Sequence, residues 1–564
     1  MNHYYTDEIN TLILISLLKA HNIKKVIASP GTTNISFVGS IQFDPYFEMY
    51  SAVDERAAAY MACGLAEESG EPVVLTCTGA TASRNYIPGL TEAYYRKLPI
   101  LAITSSQHQG KTGNNVAQML DRTSQFNDMV KESIQAFSVY TEEDKQRLVT
   151  SVNDAILELN HHAPGPVHIN LVTTYSNNFV VAELPSYRVI RRIIDKDFPE
   201  MPNGKVGIFI GAHKKFTDEE TEVIDSFCET NNAVVICDQI SNYRGKYRFL
   251  ASFANGQVEK VDTKAYDLII YIGSIHGAYI KFGGNQLWRV NKDGRIRDPY
   301  SNLTYVFEME EIDFFRHYIK ENRNNTILSI CNDTSKGVIN RMPELPFSNM
   351  WIAKETASLI PDGSVLHLGI LNSLRVWNYF ETPQNVLCYS NTGGYGIDGC
   401  LSSCIGSAIV NKELEHYLVI GDLSFFYDIN CLFNEVPSNI HIMLINNGVG
   451  TEFKNYNHRA AYFGEDANKF MAAKGHNGFK SNMLIKELCS SLNIHYYAAH
   501  DKASYLDVYS KWLGKGNGPI VLEAFIEDKY ESEALRLMNN VIPAPRKIQI
   551  KRKIKRAIKK VINI

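Results

Sequence analysis

The feature that most limits the fold of this chain is a series of short, continuously apolar runs, each ending in a turn and followed by a helical stretch. In residues 1–180 these runs are KKVIASPG, EPVVLTCTG, LPILAITSS and GPVHINLV, with TLILISLLKAHNI as an amphipathic helix before the first. A strand that is apolar on both faces must be covered on both faces, which points to a parallel sheet with helices packed above and below. The pattern recurs from about 200 in GKVGIFIGAHKK, NAVVICDQIS and YDLIIYIGSIHG. It starts a third time near 345 with SVLHLGI, NVLCYSN, HYLVIGD, NIHIMLINN and GPIVLEAFIE. With 564 residues the chain is too long for one core. The expectation is an α/β protein of three consecutive doubly wound parallel-sheet domains: 1–180, 190–335 and 345–540.

Composition narrows the function classes. Charged residues make up 21% and hydrophobic ones 45%, and the formal net charge is -4, which gives the body no reason to hold nucleic acid. No apolar run reaches the roughly 18 residues that span a bilayer. MNHYYTDEIN lacks the basic and apolar regions of a signal peptide. The ten cysteines are scattered, several of them (Cys63, Cys77, Cys404) in apolar surroundings, as reduced core thiols are. A cytoplasmic protein is expected. Residues 546–564, RKIQIKRKIKRAIKKVINI, carry nine Lys or Arg and no acid. Ile550, Ile554, Ala557, Ile558 and Val561 share one helical face, the pattern of a basic amphipathic tail on an anionic membrane. A solvated tail is the other reading.

The chemistry concentrates in VIGDLSFFYDINCLFNEVPSNIHIMLINNGVG, from Val419 to Gly450. Two apolar strands deliver Gly421-Asp422 and Asn446-Asn447 at their carboxyl ends, where a doubly wound sheet collects its ligand groups. A carboxylate and a carboxamide oxygen are hard donors, suited to Mg²⁺ or Ca²⁺. A helix expected from Ser424 would aim its first amides at an anion. Metal beside a helix N-terminus suits a diphosphate.

This stretch resembles the cofactor motif of thiamine diphosphate enzymes, which opens with Gly-Asp and closes with Asn. Here residues 424–446, 23 in all, separate Gly421-Asp422-Leu423 from Asn447, slightly short of the family spacing. VDERAAAYMACGLAEESGEPVVLTCTGATASRNYIPGLTEAYYRKLPILAITSSQ is similar to the first domain of the acetolactate synthase and pyruvate decarboxylase superfamily. By that resemblance Glu55 is the family glutamate, which hydrogen-bonds the aminopyrimidine ring and favours the tautomer that deprotonates the thiazolium carbon. The family sets this glutamate against cofactor held by the partner subunit, so a homodimer or homotetramer is implied.

A narrower resemblance is to the SEPHCHC synthase family of menaquinone biosynthesis, over roughly residues 5–530. It rests on SPG at Ser29–Gly31, DER at Asp54–Arg56, GPVHIN at Gly165–Asn170, NSL at Asn372–Leu374, GIDG at Gly396–Gly399 and GDLSFFYDIN. It implies Asp422, Asn447 and the Val449 carbonyl as Mg²⁺ ligands. Gly31, Asn391, Gly396, Gly421, Leu423 and Ser424 would line the thiamine diphosphate site, and Ile397 would wedge between its rings. Gln118 matches an active-site glutamine. That family grips a dicarboxylate donor and isochorismate with arginines, the natural clamps for carboxylates. Three of those arginines fall on Thr33, Trp377 and Thr392 here. Arg375 could replace at most one, and Thr32 adjoins the first.

The resemblance implies decarboxylation of a 2-oxo acid and transfer of the acyl-anion equivalent to an acceptor, a less anionic one given the missing arginines. The alternatives are a simple 2-oxo acid decarboxylase, SEPHCHC synthase itself, a silent scaffold subunit, or a nicotinamide enzyme using Gly394–Gly399 as GxGxxG. QGKT at Gln109–Thr112 lacks the leading glycine of a P-loop, Ser105 standing in its place. Cys400 and Cys404 read as core, and His161-His162 as a loop pair. The middle domain shows no FAD signature.

Overall fold

The computed structural model describes residues 4–122, 124–257, 265–277, 283–475, 481–515 and 518–542, so the basic tail lies outside the described residues. The chain divides into two compact units, Met1–Pro199 with Gln286–Met309, and Glu200–Asn285 with Glu310–Ile564.

In the first unit a six-stranded parallel sheet runs in the order Glu48–Ser51, Lys25–Ala28, Val73–Thr78, Ile100–Ser106, Val167–Val172, Glu132–Ala136. Its central strands bury both faces, as their unbroken apolar runs require. Val74, Leu101 and Ile103 join one core with the helices Ile9–Ala20 and Glu142–Glu158. Val73, Leu75, Ile100 and Ala102 join the other, with the helices Glu55–Ser69 and Ile87–Arg96. Successive residues therefore feed opposite cores, the period of two made physical. The same unit holds Arg191–Ile193 and Leu303–Phe307 as neighbouring parallel strands.

In the second unit four parallel strands run in the order Arg248–Leu250, Ala233–Cys237, Val206–Ile210, Ala265–Ile272. A six-stranded parallel sheet follows, ordered Leu387–Tyr389, Val365–Leu368, His416–Gly421, Ile440–Asn446, Ile520–Phe525, His495–Ala499. The expected strands are all present, and several parallel α/β sheets form the molecule. All ten cysteines are buried and unpaired, Cys400 and Cys404 among them. No described helix is long and apolar enough to cross a membrane.

The two six-stranded sheets share one topology. Numbered along each, the strand order is second, first, third, fourth, sixth, fifth. The chain reverses direction across the sheet between the first and third strands, and a crevice opens beyond their carboxyl ends. In one sheet that point follows Ala28 and Thr78; in the other it follows Leu368 and Gly421.

Candidate active site

In the second unit the strand His416–Gly421 hands directly into a six-residue helix, Asp422–Tyr427. This helix starts two residues earlier than expected, with Asp422 itself in its first turn. The adjacent strand Ile440–Asn446 pairs Gly421 with Ile445, so the two strand ends arrive side by side. Asp422 is 3% exposed. Its Oδ2 accepts from the amides of Asn447 (2.9 Å) and Gly448 (2.7 Å), and its Oδ1 from Leu423 (2.7 Å). Burial pushes its carboxyl up to about 7, the three amides pull it back, and the Glu523 charge adds to the rise.

The structure separates the two asparagines. Asn446 is engaged: its Nδ2 donates to Glu523 Oε1 at 2.6 Å, and Tyr496 holds the other oxygen of that carboxylate at 2.7 Å. Asn447 keeps its carbonyl oxygen buried and without a hydrogen-bond partner. A buried acceptor left bare is costly unless something occupies it. Asp422 Oδ1, with one amide bonded, has lone-pair capacity left. Together with the backbone around the buried Val449, this oxygen-only donor set suits a hard dication.

Around that pair, Ser424 Oγ donates to the Ile397 carbonyl at 2.6 Å, tying the GIDG loop to the helix after Gly421. Leu423 is half-buried, and Thr392 is buried with its amide on Ser390. At Gly396 a Cβ would lie 2.3 Å from Asp398 Oδ1, whereas Asn391 Nδ2 stands 3.6 Å from a Cβ built at Gly399. Glu531, on the helix Asp528–Asn539, is a buried carboxylate that sequence reading missed. Burial pushes it up to about 7, opposed by the Asn349 amide and the Asn447 side chain, while the Asp422 charge adds to the rise. Trp377 is fully buried and donates Nε1–H to Asn349 Oδ1 at 3.1 Å. A cavity of about 780 Å³ opens beside Glu531 and is lined by Arg375, Glu452, His458 and Arg459. Arg375 there pairs with Glu452.

In the first unit the segment after Ala28 crosses the other switch point. Thr33 is buried: Oγ1 meets Thr78 Oγ1, donates to the Ser105 carbonyl at 2.6 Å and accepts from the Gly79 amide at 3.2 Å. A Cβ on Gly31 would stand 2.7 Å from Thr78 Cβ, so only glycine fits that turn, and Thr32 is exposed. Glu55 is half-buried in the first turn of the helix Glu55–Ser69, where Asp54 caps the Ala57 amide at 2.9 Å. Gln118 lies exposed with φ 62°.

Residues 11–125 match the family model described as thiamine pyrophosphate enzyme, N-terminal TPP binding domain. A 2-succinyl-5-enolpyruvyl-6-hydroxy-3-cyclohexene-1-carboxylate synthase of Bacteroides thetaiotaomicron is 32% identical over 476 residues, covering 80% of this chain and 84% of the relative. The chain belongs to the SEPHCHC synthase family of thiamine pyrophosphate enzymes. The SEPHCHC synthase of Bacteroides fragilis is 31% identical over 498 residues, with 80% and 84% covered. That of Christiangramia forsetii is 25% identical over 577 residues, with 93% and 96% covered. SEPHCHC synthases thus match 80–93% of the chain, and the chain is a thiamine pyrophosphate-dependent enzyme.

Sequence reading missed Glu523, Glu531, Asn349 and Arg459. Glu523 left a trace, as the one charge inside the apolar run IVLEAF. The others become visible only when distant segments meet.

Proposed function

We propose that the chain joins carbon to carbon: with thiamine diphosphate and Mg²⁺ it decarboxylates a 2-oxo acid and transfers the acyl-anion equivalent to an acceptor. The observation that carries this is the bare, buried Asn447 Oδ1 beside Asp422 at the switch point. The name carried by the relatives supports SEPHCHC synthesis itself, from a dicarboxylate donor and isochorismate, over an unrelated carboligation. When bound, the cofactor would supply a nucleophilic carbon and an electron sink for decarboxylation of a 2-oxo acid.

The chain's own residues have separable tasks. Asp422, Asn447 and the Val449 carbonyl would hold Mg²⁺ on the diphosphate. Ile397, fixed through Ser424, would set the cofactor's shape, with Gly421, Gly396 and Asn391 allowing its approach. Glu55, from the partner subunit in a homodimer or homotetramer, would hydrogen-bond the pyrimidine, and Gln118 would reach the reacting groups. Arg375 and Arg459 would offer guanidinium groups to substrate carboxylates at the cavity, compensating in part for Thr33, Trp377 and Thr392. A less anionic acceptor is the second reading, favoured because Thr33 and Trp377 are taken up by hydrogen bonds within the fold. The test is CO₂ release from a panel of 2-oxo acids, with and without isochorismate, and Glu55→Gln as control. Isochorismate-dependent release from a dicarboxylic 2-oxo acid, lost in the variant, supports the first reading. Release from another donor supports the second, and no release overturns both.

The basic tail supports a cytoplasmic enzyme docked on anionic membrane. Deleting 546–564 should abolish liposome binding and spare turnover; unchanged binding would sink that assignment.

A further inference from the structure

His161 and His162 are more than a loop pair. They follow the helix Glu142–Glu158, and the structure brings them to Glu308, just past the strand Leu303–Phe307 in the same unit. His161 Nε2 stands 3.4 Å from Glu308 Oε2, and His162 Nε2 stands 3.7 Å from Glu308 Oε1. The donor atoms of all three residues lie within 4.8 Å of one another.

Two of those atoms are orphans. The His161 side chain is 5% exposed, and its Nε2 is buried with no hydrogen-bond partner; Glu308 Oε2 is buried and equally bare. Each faces the other. The far nitrogen of His161 is committed, since Nδ1 sits 2.6 Å from Glu158 Oε1. A carboxylate behind a histidine fixes which nitrogen carries hydrogen and turns the other lone pair outward, as it does behind metal-bound imidazoles. Two lone pairs facing at 3.4 Å repel unless a positive centre lies between them. Arg192 is the cation near Glu308, at 3.9 Å, but its guanidinium is drawn off to Glu158 (3.1 Å) and the carbonyls of Gly294 and Leu157.

The spacing suits one small ion. Ligands at 2.0–2.1 Å in a tetrahedron are about 3.4 Å apart along each edge, close to the two separations found. The loop is also braced: Lys131 Nζ collects the carbonyls of Glu158, His161 and Ala163 at 2.6–2.7 Å. His162 adopts φ 56°, which folds its ring back to 3.9 Å from that of His161. Its side chain is 63% exposed, leaving one side of the cluster open to water.

We propose that His161 Nε2, His162 Nε2 and the Glu308 carboxylate bind one Zn²⁺ ion, with water completing the tetrahedron. Two imidazoles and one carboxylate are a borderline donor set, which selects zinc over Mg²⁺ or Ca²⁺. The ion ties the end of the helix Glu142–Glu158 to the end of the strand Leu303–Phe307.

The test uses full-length protein stripped with chelator, then held in excess Mg²⁺ and thiamine diphosphate so that oxygen-rich sites are filled. Zn²⁺ binding is measured by equilibrium dialysis, and Co²⁺ is substituted to read the geometry. One Zn²⁺ per chain is expected, with an intense visible Co²⁺ band of tetrahedral type. His162→Ala and Glu308→Gln should each weaken binding at least tenfold. His162→Ala removes a mostly exposed ring, so its metal-free form should melt with the metal-free wild type, and only the wild type should gain from added Zn²⁺. Absence of saturable Zn²⁺ binding, or wild-type affinity in either variant, overturns the assignment.

Discussion

At the scale of single residues, the division of labour between Asn446 and Asn447 is the sharpest result. The sequence offers two adjacent carboxamides, and nothing in their order says which faces the ligand. Glu523 decides it by taking the Asn446 amide, which leaves Asn447 Oδ1 bare. Asn447→Ala should therefore weaken Mg²⁺–thiamine diphosphate binding more than Asn446→Ala. Glu523 bonds Asn446 and Tyr496 and neither proposed ligand, so Glu523→Gln should weaken it no more than Asn446→Ala does. Titration of cofactor by tryptophan fluorescence measures all three, and the reverse order for the asparagines would refute the assignment. Trp377 makes a second test. Its indole is fully buried and bonded to Asn349, whose amide donates in turn to Glu531. Trp377→Arg should not restore a carboxylate clamp. Loss of the indole costs about 3–5 kcal/mol, and burial of an unpaired guanidinium adds to it. A urea midpoint equal to wild type, with improved use of a dicarboxylate donor, would contradict this.

At the scale of elements, the strands were legible because a both-face-buried strand must be apolar throughout. HYLVI and NIHIMLI declare themselves without reference to any neighbour. The chemistry at their ends was legible for the same reason: Asp422 and Asn447 stand where apolar runs stop. What the sequence hides is whatever depends on distant segments meeting. Glu531, on a helix about 110 residues beyond Asp422, and the approach of Glu308 to His161-His162 follow from packing alone. The helix Glu55–Ser69 shows how closely such packing is set. A Cβ on Gly89, in the helix Ile87–Arg96, would fall 2.4 Å from Ala59 Cβ and 2.9 Å from its carbonyl carbon. These helices meet backbone to backbone, so Gly89→Ala must push them apart. The expected cost is about 1–3 kcal/mol. Because Glu55 opens the displaced helix, turnover should fall further than the loss of folded protein explains. Activity per folded molecule, with folding followed by circular dichroism, separates the two effects; an unchanged value would mean the helix keeps Glu55 in place.

At the scale of the whole molecule, each six-stranded sheet carries half of the proposed chemistry beyond its carboxyl ends: the segment at Gly31–Thr33 at the switch point and Glu55 after the edge strand Glu48–Ser51 in one unit, Asp422 and Asn447 in the other. A shared topology gives both halves the same kind of crevice, and the proposed homodimer then needs a surface where a second chain docks. The helix Glu55–Ser69 would supply it. Ala57, Tyr60, Met61 and Gly64 are exposed at i, i+3, i+4 and i+7, and Val53 just before the helix is exposed too. That is the spacing of a helix face meant to be covered, yet in the single chain it faces water. A symmetric dimer would bury the stripe against its own copy. Gly64 gives a clean probe because a Cβ there meets nothing within 4 Å. Gly64→Arg should leave the fold intact, and the isolated helix should gain about 1 kcal/mol from the loss of glycine. Across a two-fold interface, however, two like charges would be forced together without water. The expected outcome is a folded, dissociated chain in sedimentation velocity, with turnover lost because each Glu55 no longer has a partner. An oligomer that survives the substitution would place the interface elsewhere and leave the exposed stripe to another role.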